Sequence, residues 1–497
     1  MSTQASADKP MKHRSVVSSF IFKLADTPDG KPQVALFRRS DKVSTYQHHL
    51  APISGSIESD DPAPLSAAWR EISEETTLTA TELVLLRRGK PYSFSDPSIG
   101  RSWTIHPFGF ALRSPDFESR IAIDWEHTSW SFHDPLSVVD TPEFGGVPRL
   151  AESLRRVWFE KDLSPAASAT LSQGLRTLAT DHKSGARQLA GTALAIFQDV
   201  ILDLKPLAPT QEWYNQVLIA AWHLYVNGRP SMSAPILSAL LKALRDIQSR
   251  MANVQADEPW YEAIRSVFNT IAARRDQMTK HISESLAKYL AAQFLEMDKP
   301  LRILTISQSS TLTSSLLHLS TTRPLEVNIL ESRPLFEGVA AAQALESILA
   351  SERHKHKITV FTDAEMALAS RGVRVVLLGA DRIAETGDAS NKMGSLPMVL
   401  SAKHVTGGKV KVVVVGDGEK IALPGGEDVE EENDGRQVSS VWGRGLEGVG
   451  VRNVFFEWVD AGLMDAYVME TGEIERQEIG KRSRELGEEE NRVFEGL

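Results

Sequence analysis

Apolar positions change their period twice along the chain. Short β-type runs come first, at Ser15–Phe22 (SVVSSFIF), Gln33–Phe37 (QVALF), Glu82–Leu86 and Trp103–Phe110, with a turn at Asp26–Gly30 between the first two. A helical run lies among them, opened by Pro62 and Pro64 and reaching Leu78, so residues 13–140 are expected to form a compact α+β unit. Asp134-Pro135 and the Pro- and Gly-containing stretch 140–146 interrupt the pattern, and 141–164 reads as a linker. From 165 to 298 the spacing is helical: Leu189, Ala193, Ile196, Phe197, Val200 and Leu204 fall on one face, as do Ile264, Val267 and Ile271. Beyond Pro300 apolar runs recur at 302–306, 326–330, 358–361, 373–378, 410–415 and 451–456, with helical segments between them. Continuous runs of this length must be covered on both faces, which predicts a Rossmann-like parallel sheet over 299–480. The polar residues before about 12 are expected to be disordered, and the acidic stretch 427–434 to be a solvated loop.

One helix departs from simple amphipathicity. Within Gly55–Leu78 the centre is Arg70-Glu71-Ile72-Ser73-Glu74-Glu75. Residues three and four apart share a helix face, so Glu71, Glu74 and Glu75 are expected to project together, with Trp69 and Ile72 turned to the core. Three like charges on one face repel, and a structural helix gains nothing from them. A hard divalent cation gives such a face a purpose, because it binds carboxylate oxygens.

Composition narrows the chemistry. The 497 residues are 42% apolar and 24% charged, enough for two or more cored domains. A formal charge of −10 leaves no global basic field for nucleic acid or acidic membranes. The absence of cysteine excludes disulfides, thiolate metal sites and a cysteine nucleophile. No apolar stretch has the length of a signal core or a membrane span, so a soluble cytoplasmic protein is expected.

The acidic helix resembles the Nudix box, a loop-helix-loop that presents glutamates to magnesium for pyrophosphate hydrolysis. Arg70, Glu71, Ile72, Glu74 and Glu75 match its core and Gly55 its opening glycine, within flanking strands that span about 13–140. The loop from Gly55 to Arg70 is one residue longer than the pattern, with Asp61 near the expected glutamate, and Thr77 stands where the family has glycine. The resemblance implies an Mg2+ (or Mn2+) site at Gly55, Glu71, Glu74 and Glu75, with Arg70 orienting a carboxylate. The implied substrate is a small-molecule nucleoside diphosphate derivative.

In a parallel α/β sheet, ligands bind beyond the carboxyl ends of the strands. There the sequence offers Ser307–Ser310, Glu331, Arg333, Thr362, Asp363 and Asp381, with Asn391-Lys392 following. Together they suggest a pocket for a small phosphorylated ligand. The ordered pieces Leu304–Thr311, Glu331–Gly338, Gly379–Ile383, Asn391–Gly394 and Ala402–His404 resemble the initiation factor 2B alpha/beta/delta subunits, methylthioribose-1-phosphate isomerase and ribose-1,5-bisphosphate isomerase. Ser184–Ala186 and Asn227–Met232 extend that likeness into the helical half, so it covers about 165–475. It implies Asp381 as a catalytic aspartate, Asn391 and Lys392 as sugar-phosphate contacts, and Arg229 and Arg333 as phosphate or sugar contacts. Ser307 stands where the isomerases place a cysteine, and a hydroxyl is a far poorer acid or base near neutral pH than a thiol. The expectation is therefore a hydrolase joined to a domain that binds a sugar phosphate or nucleotide. The alternatives are a non-catalytic regulator attached to the initiation factor 2 machinery, or a sugar-phosphate isomerase. The resemblance also implies a homo-oligomer.

Overall fold

The structure, a computed structural model, describes residues 11–24, 30–205, 208–253, 259–349, 356–426, 431–443 and 448–497. The polar N-terminus to residue 10, most of the turn expected at Asp26–Gly30 and residues 427–430 of the acidic loop lie outside these residues. The chain divides into two compact units: Met1–Ser172 with Glu212–Asn227 and Leu497, and Gln173–Gln211 with Gly228–Gly496. No helix among the described residues is long and apolar enough to cross a membrane.

The first unit is built on one mixed sheet. Its strands are β1 (Lys12–Lys23), β2 (Gln33–Arg39), β3 (Leu50–Ala51), β4 (Leu83–Arg88), β5 (Tyr92–Asp96), β6 (Arg101–Leu112) and β7 (His127–His133). They run β3-β2-β1-β6-β4, with β5 also on β6 and β7 also on β2. β1 lies parallel to β6, and the other strand pairings are antiparallel. Helix α1 (Pro64–Thr76) covers one face through Ala67, Ala68 and Ile72, which pack with Val17, Ile21, Phe37 and Phe110. Trp69 meets Phe110 edge-on, at 4.7 Å between ring centroids. On the other face, Phe20, Phe22, Val34 and Leu36 pack against the segment expected as a linker. That segment instead carries α2 (Leu150–Arg155) and buries Leu150, Leu154, Val157 and Trp158, because these apolar residues recur at helical spacing over an uncovered sheet face. Arg87 ties it down through two 2.6 Å bonds to Glu160.

The second unit carries the parallel sheet. Its strands β8 (Leu301–Ile306), β9 (Leu325–Leu330), β10 (Lys357–Phe361), β11 (Val375–Gly379), β14 (Lys411–Val415) and β16 (Ala466–Met469) run in the order β10-β9-β8-β11-β14-β16. β17 (Gly472–Ile474) adds an antiparallel edge. Alternate residues serve opposite cores: Ile303, Val375, Leu377 and Val413 on one face, Leu304, Val376, Leu378 and Val412 on the other. That double burial is why these strands read as unbroken apolar runs. A small sheet of β12 (Arg382–Ile383), β13 (Ala389–Lys392) and β15 (Phe456–Val459) lies apart from the main one. The run 451–456, expected as a sixth parallel strand, is not in the main sheet. Asn453 bonds the Asp434 carbonyl and the Gln437 side chain at 2.9 Å, and Arg452 pairs with Glu432, so polar side chains hold the run to 432–437.

The strand order reverses at β8, whose next strand in sequence lies on one side and β11 on the other. A crevice outside the carboxyl ends of β8 and β11 is where an open α/β sheet accepts a ligand.

Candidate functional site

The helix that holds the glutamates starts at Pro64, whose fixed φ suits the first turn. It stops at Thr77, which adopts a left-handed conformation with φ 61° and donates its N–H to the Ser73 carbonyl at 3.0 Å. Between these ends the carboxylates separate. Glu75 is buried, with only 4% of its side chain exposed, Glu71 is largely buried, and Glu74 is 59% exposed. Arg70 gathers the outer ones: it grips Asp61 through two bonds of 2.8 and 3.3 Å and reaches Glu71 at 2.8 Å and Glu74 at 3.3 Å. The Arg70–Asp61 pair holds the Asp61 carboxyl below its ordinary range.

Gly55 forms the other wall. Its carbonyl accepts from the Val17 N–H at 2.9 Å, which fixes the turn against β1. A Cβ at Gly55 would lie 1.9 Å from the Glu71 carboxyl carbon, so a side chain there would push that carboxylate out of its present place.

Glu75 sits deeper. Its Oε1 is buried without a hydrogen-bond partner, and His127 Nε2 lies 3.5 Å from Oε2, beyond a proper bond. Burial, reinforced by the charges of Glu126, Glu71 and Asp124, pushes the Glu75 carboxyl up to about 10. Burial also takes His127 down to about 4. Near neutral pH both are therefore uncharged. Glu126, from the turn before β7, is itself raised by burial and by Asp124, and Arg39 pulls the other way. Glu126 and Arg39 were not singled out from the sequence. Glu126 is 51 positions from Glu75 in a short acidic turn (Asp124-Trp125-Glu126), and nothing local marks it as part of the helix's site.

Among the described residues no group of three or more His, Asp or Glu side chains is gathered closely enough to hold a metal ion. Two local features nonetheless fit a divalent cation. One is the orphaned oxygen of Glu75, and the other is the glycine-made space around the Glu71 carboxylate.

Glu71, Glu126 and Gly55 open onto a cleft of about 490 Å³. Its floor is aromatic: Phe94 stacks on Trp103 at 5.0 Å, and Tyr46 approaches Trp103 at 6.1 Å. Arg14, Arg39, Lys42, Arg101 and Arg149 also line it.

In the second unit, Ser307 follows β8 with φ 67° and donates its N–H to Ser332 Oγ at 2.7 Å. Asp381 follows β11, and its N–H donates to the Ser390 carbonyl at 2.8 Å. Burial raises the Asp381 carboxyl above its ordinary range, against the pull of Lys420, Lys392 and Arg229. The buried Lys420 was not foreseen. Asn391 donates to Ser395 Oγ at 2.8 Å and lies beside Gly379 and Ser309. The cations expected to hold a phosphate already have carboxylate partners. Lys392 pairs with Glu337 at 2.6 Å and lies over the Phe455 ring at 4.4 Å. Arg229 makes two bonds to Glu431, of 2.7 and 3.2 Å, and Ser231 bonds the same carboxylate. Arg333 stands apart, with its guanidinium over Phe336 in a recess lined by Met393 and Trp442.

Comparison with known proteins follows the same division. The NUDIX domain model matches residues 15–157, and the Initiation factor 2 subunit family model matches 182–476. Methylthioribose-1-phosphate isomerase of Pseudomonas fluorescens is 33% identical over 153 residues, which are 30% of this chain and 42% of that protein. The same enzyme of Azotobacter vinelandii is 32% identical over 157 residues, with the same 30% and 42% coverage. The chain thus spans about two-fifths of the length of the curated relatives it matches. Among solved structures, translation initiation factor eIF-2B of Pyrococcus horikoshii OT3 is 20% identical, with a TM-score of 0.43, over 61% of this chain and 96% of that one. The 5-methylthioribose 1-phosphate isomerase of Pyrococcus horikoshii OT3 is 18% identical, with a TM-score of 0.46, over 66% and 88%. With more than half its length matched, the chain belongs to the initiation factor 2 subunit family and carries a NUDIX domain ahead of the matched region.

Proposed function

We propose that the first unit is a divalent-metal-dependent hydrolase of a nucleoside diphosphate linked to a second group. The observation that carries this reading is the buried, unpartnered carboxyl of Glu75 behind the Glu71–Gly55 cradle, at a cleft that also offers aromatic and cationic walls. Glu71 and Glu75 would hold Mg2+ or Mn2+, with Glu126 lining the same cleft and the more exposed Glu74 farther out. Bound there, the ion would neutralise a diphosphate and lower the pKa of its water. Arg70 keeps Glu71 and Asp61 in place, Arg39 adds positive charge beside Glu126, and Glu126, which lines the cleft, would serve as proton acceptor. Incubation of the whole protein with ADP-ribose and Mg2+ tests the reading. AMP and a sugar phosphate are expected, and Glu71→Gln and Glu75→Gln should each abolish turnover. No product from wild-type protein across ADP-ribose, dinucleotides and nucleoside triphosphates would reject it.

For the second unit we propose binding of a sugar phosphate at Arg229, Asn391 and Lys392. One observation favours a catalytic version. Asp381, whose carboxyl burial favours in the protonated form, is held among three cations and could donate a proton to a sugar oxygen. Ser307 in place of a thiol weighs against isomerisation and toward ligand sensing. Product analysis after incubation with ribose-1,5-bisphosphate or methylthioribose-1-phosphate decides between them. A sugar phosphate released by the first unit is a natural candidate ligand for the second. Self-association, expected from the family, is checked by light scattering.

A further inference from the structure

The cleft of the first unit has more positive charge than a metal-bound diphosphate requires. Among the described residues, no carboxylate pairs with the side chains of Arg14, Lys42, Arg101 or Arg149, in a chain whose net charge is −10. Unpaired cations converging on one concavity mark a place for anions.

The strand register shows where two of them stand. Arg14, Trp103 and Phe94 form one cross-strand row over β1, β6 and β5. Val16, Ile105 and Tyr92 form the next row on the same face, and Lys12, Arg101 and Asp96 the row on the other side. The glycine wall of the carboxylate site meets β1 at Val16 and Val17, through the Val16–Ser56 bridge and the Val17–Gly55 bond. At roughly 3.3 Å per residue, the aromatic row is about 7 Å along the strand from the carboxylate end, and Arg101 lies about 7 Å farther. Asp96, opposite Arg101, makes no ion pair with it; its carboxylate is turned to the Tyr46 hydroxyl at 2.9 Å and the Ser98 hydroxyl at 2.5 Å. The order along the cleft is therefore carboxylates, aromatic floor, arginine.

A diphosphate beside the carboxylates with its base or sugar over the aromatic floor leaves no anionic group of the ligand within reach of Arg101, which no carboxylate among the described residues pairs. We infer that the ligand of this cleft carries a second anionic group, a phosphate ester on its nucleoside part, seated between Arg14, which flanks the aromatic floor, and Arg101 beyond it. The inference rests on the hydrolase reading of the same cleft and narrows its substrate to doubly anionic nucleotides. Arginine suits the task, because its planar fork meets phosphate with two parallel bonds.

The test compares molecules that differ by one phosphate ester: NADPH with NADH, coenzyme A with its dephospho form, and 2′-phospho-ADP-ribose with ADP-ribose. Each is given to the whole protein with Mg2+, and both turnover and binding are measured. In at least one pair the phosphorylated member is expected to have a kcat/KM higher by about tenfold or more, the range of a charge-assisted contact. Arg101→Ala and Arg14→Ala should bring that ratio toward one, and Arg101→Lys should keep part of it. Equal turnover within every pair overturns the inference and leaves the hydrolase reading standing. Tighter binding of phosphorylated members without cleavage supports the inference and rejects the hydrolase. Absence of both binding and cleavage rejects both.

Discussion

The two candidate sites solve opposite problems of buried charge. In the first unit Arg70 answers the outer carboxylates, but burial and the neighbouring acids outweigh the pull of Arg39 on Glu75, which is held protonated. In the second, Lys392 and Arg229 each hold a carboxylate, Glu337 and Glu431, at the position proposed for a phosphate. The first arrangement is costly until a cation arrives. In the second each cation already has its carboxylate, and the proposed phosphate would have to displace an internal anion. A mutation that removes charge should therefore act in opposite directions on the stability of the two sites.

The largest expected effect is at Glu75. Glu75→Gln should lower turnover by at least about 10²-fold, since a ligand of the proposed metal is lost. It should also stabilise the metal-free protein. The native carboxyl keeps its proton up to about 10 while the unfolded one releases it near 4.5, so the native state loses stability as pH rises between those values. At pH 7 that amounts to up to about 3 kcal/mol, which glutamine would restore. Urea melts at pH 5 and pH 8 read the change, and a gap between variant and wild type that fails to widen with pH would break the comparison. Mg2+ should raise the melting temperature of the wild type and leave Glu75→Gln nearly unmoved.

In the second unit the sign reverses. Lys392→Met leaves Glu337 facing an apolar group, with one oxygen already buried and unpartnered, and should cost about 2 kcal/mol of stability by chemical denaturation. Glu337→Gln removes the internal competitor instead. It should tighten binding of a sugar phosphate about tenfold, read by calorimetry. Unchanged affinity would mean that Glu337 does not contest the ligand's place.

This contrast was only partly legible in the sequence. The helix with Glu71, Glu74 and Glu75 could be read because proline, glycine and helical spacing are local signals, and so could five of the six parallel strands. The inequality of the three glutamates could not. Burial of Glu75 and exposure of Glu74 depend on where α1 rolls against β1 and on the turn bearing Glu126 and His127. The four-residue strand Ala466–Met469 gave too short a signal, whereas Val451–Phe456 gave a longer one that Asn453 diverts. Arg229 and Lys392 could be singled out from the sequence, but the carboxylates they pair with are 202 and 55 residues away, and such pairings exist only once the chain has folded. The segment 150–158 did carry its helical spacing openly, hidden only by the proline and glycine before it.

The smallest effect separates site from scaffold. Thr77 closes α1 in a left-handed conformation, where a β-branched side chain is strained by about 1–2 kcal/mol. Its hydroxyl recovers a little through a 3.3 Å bond to the Arg120 carbonyl. Thr77→Gly relieves the strain and loses that weak bond, and glycine also widens the unfolded ensemble. The net gain should be about 0.5–1 kcal/mol, seen as a shift of the denaturation midpoint at unchanged slope. Because the hydrogen bonds of Thr77 go to the Ser73 and Arg120 carbonyls and not to a carboxylate, the gain should be equal at pH 5 and pH 8, unlike that of Glu75→Gln. A gain that grew with pH would mean that the helix end and the buried carboxyl are coupled, and that the strain at Thr77 belongs to the site.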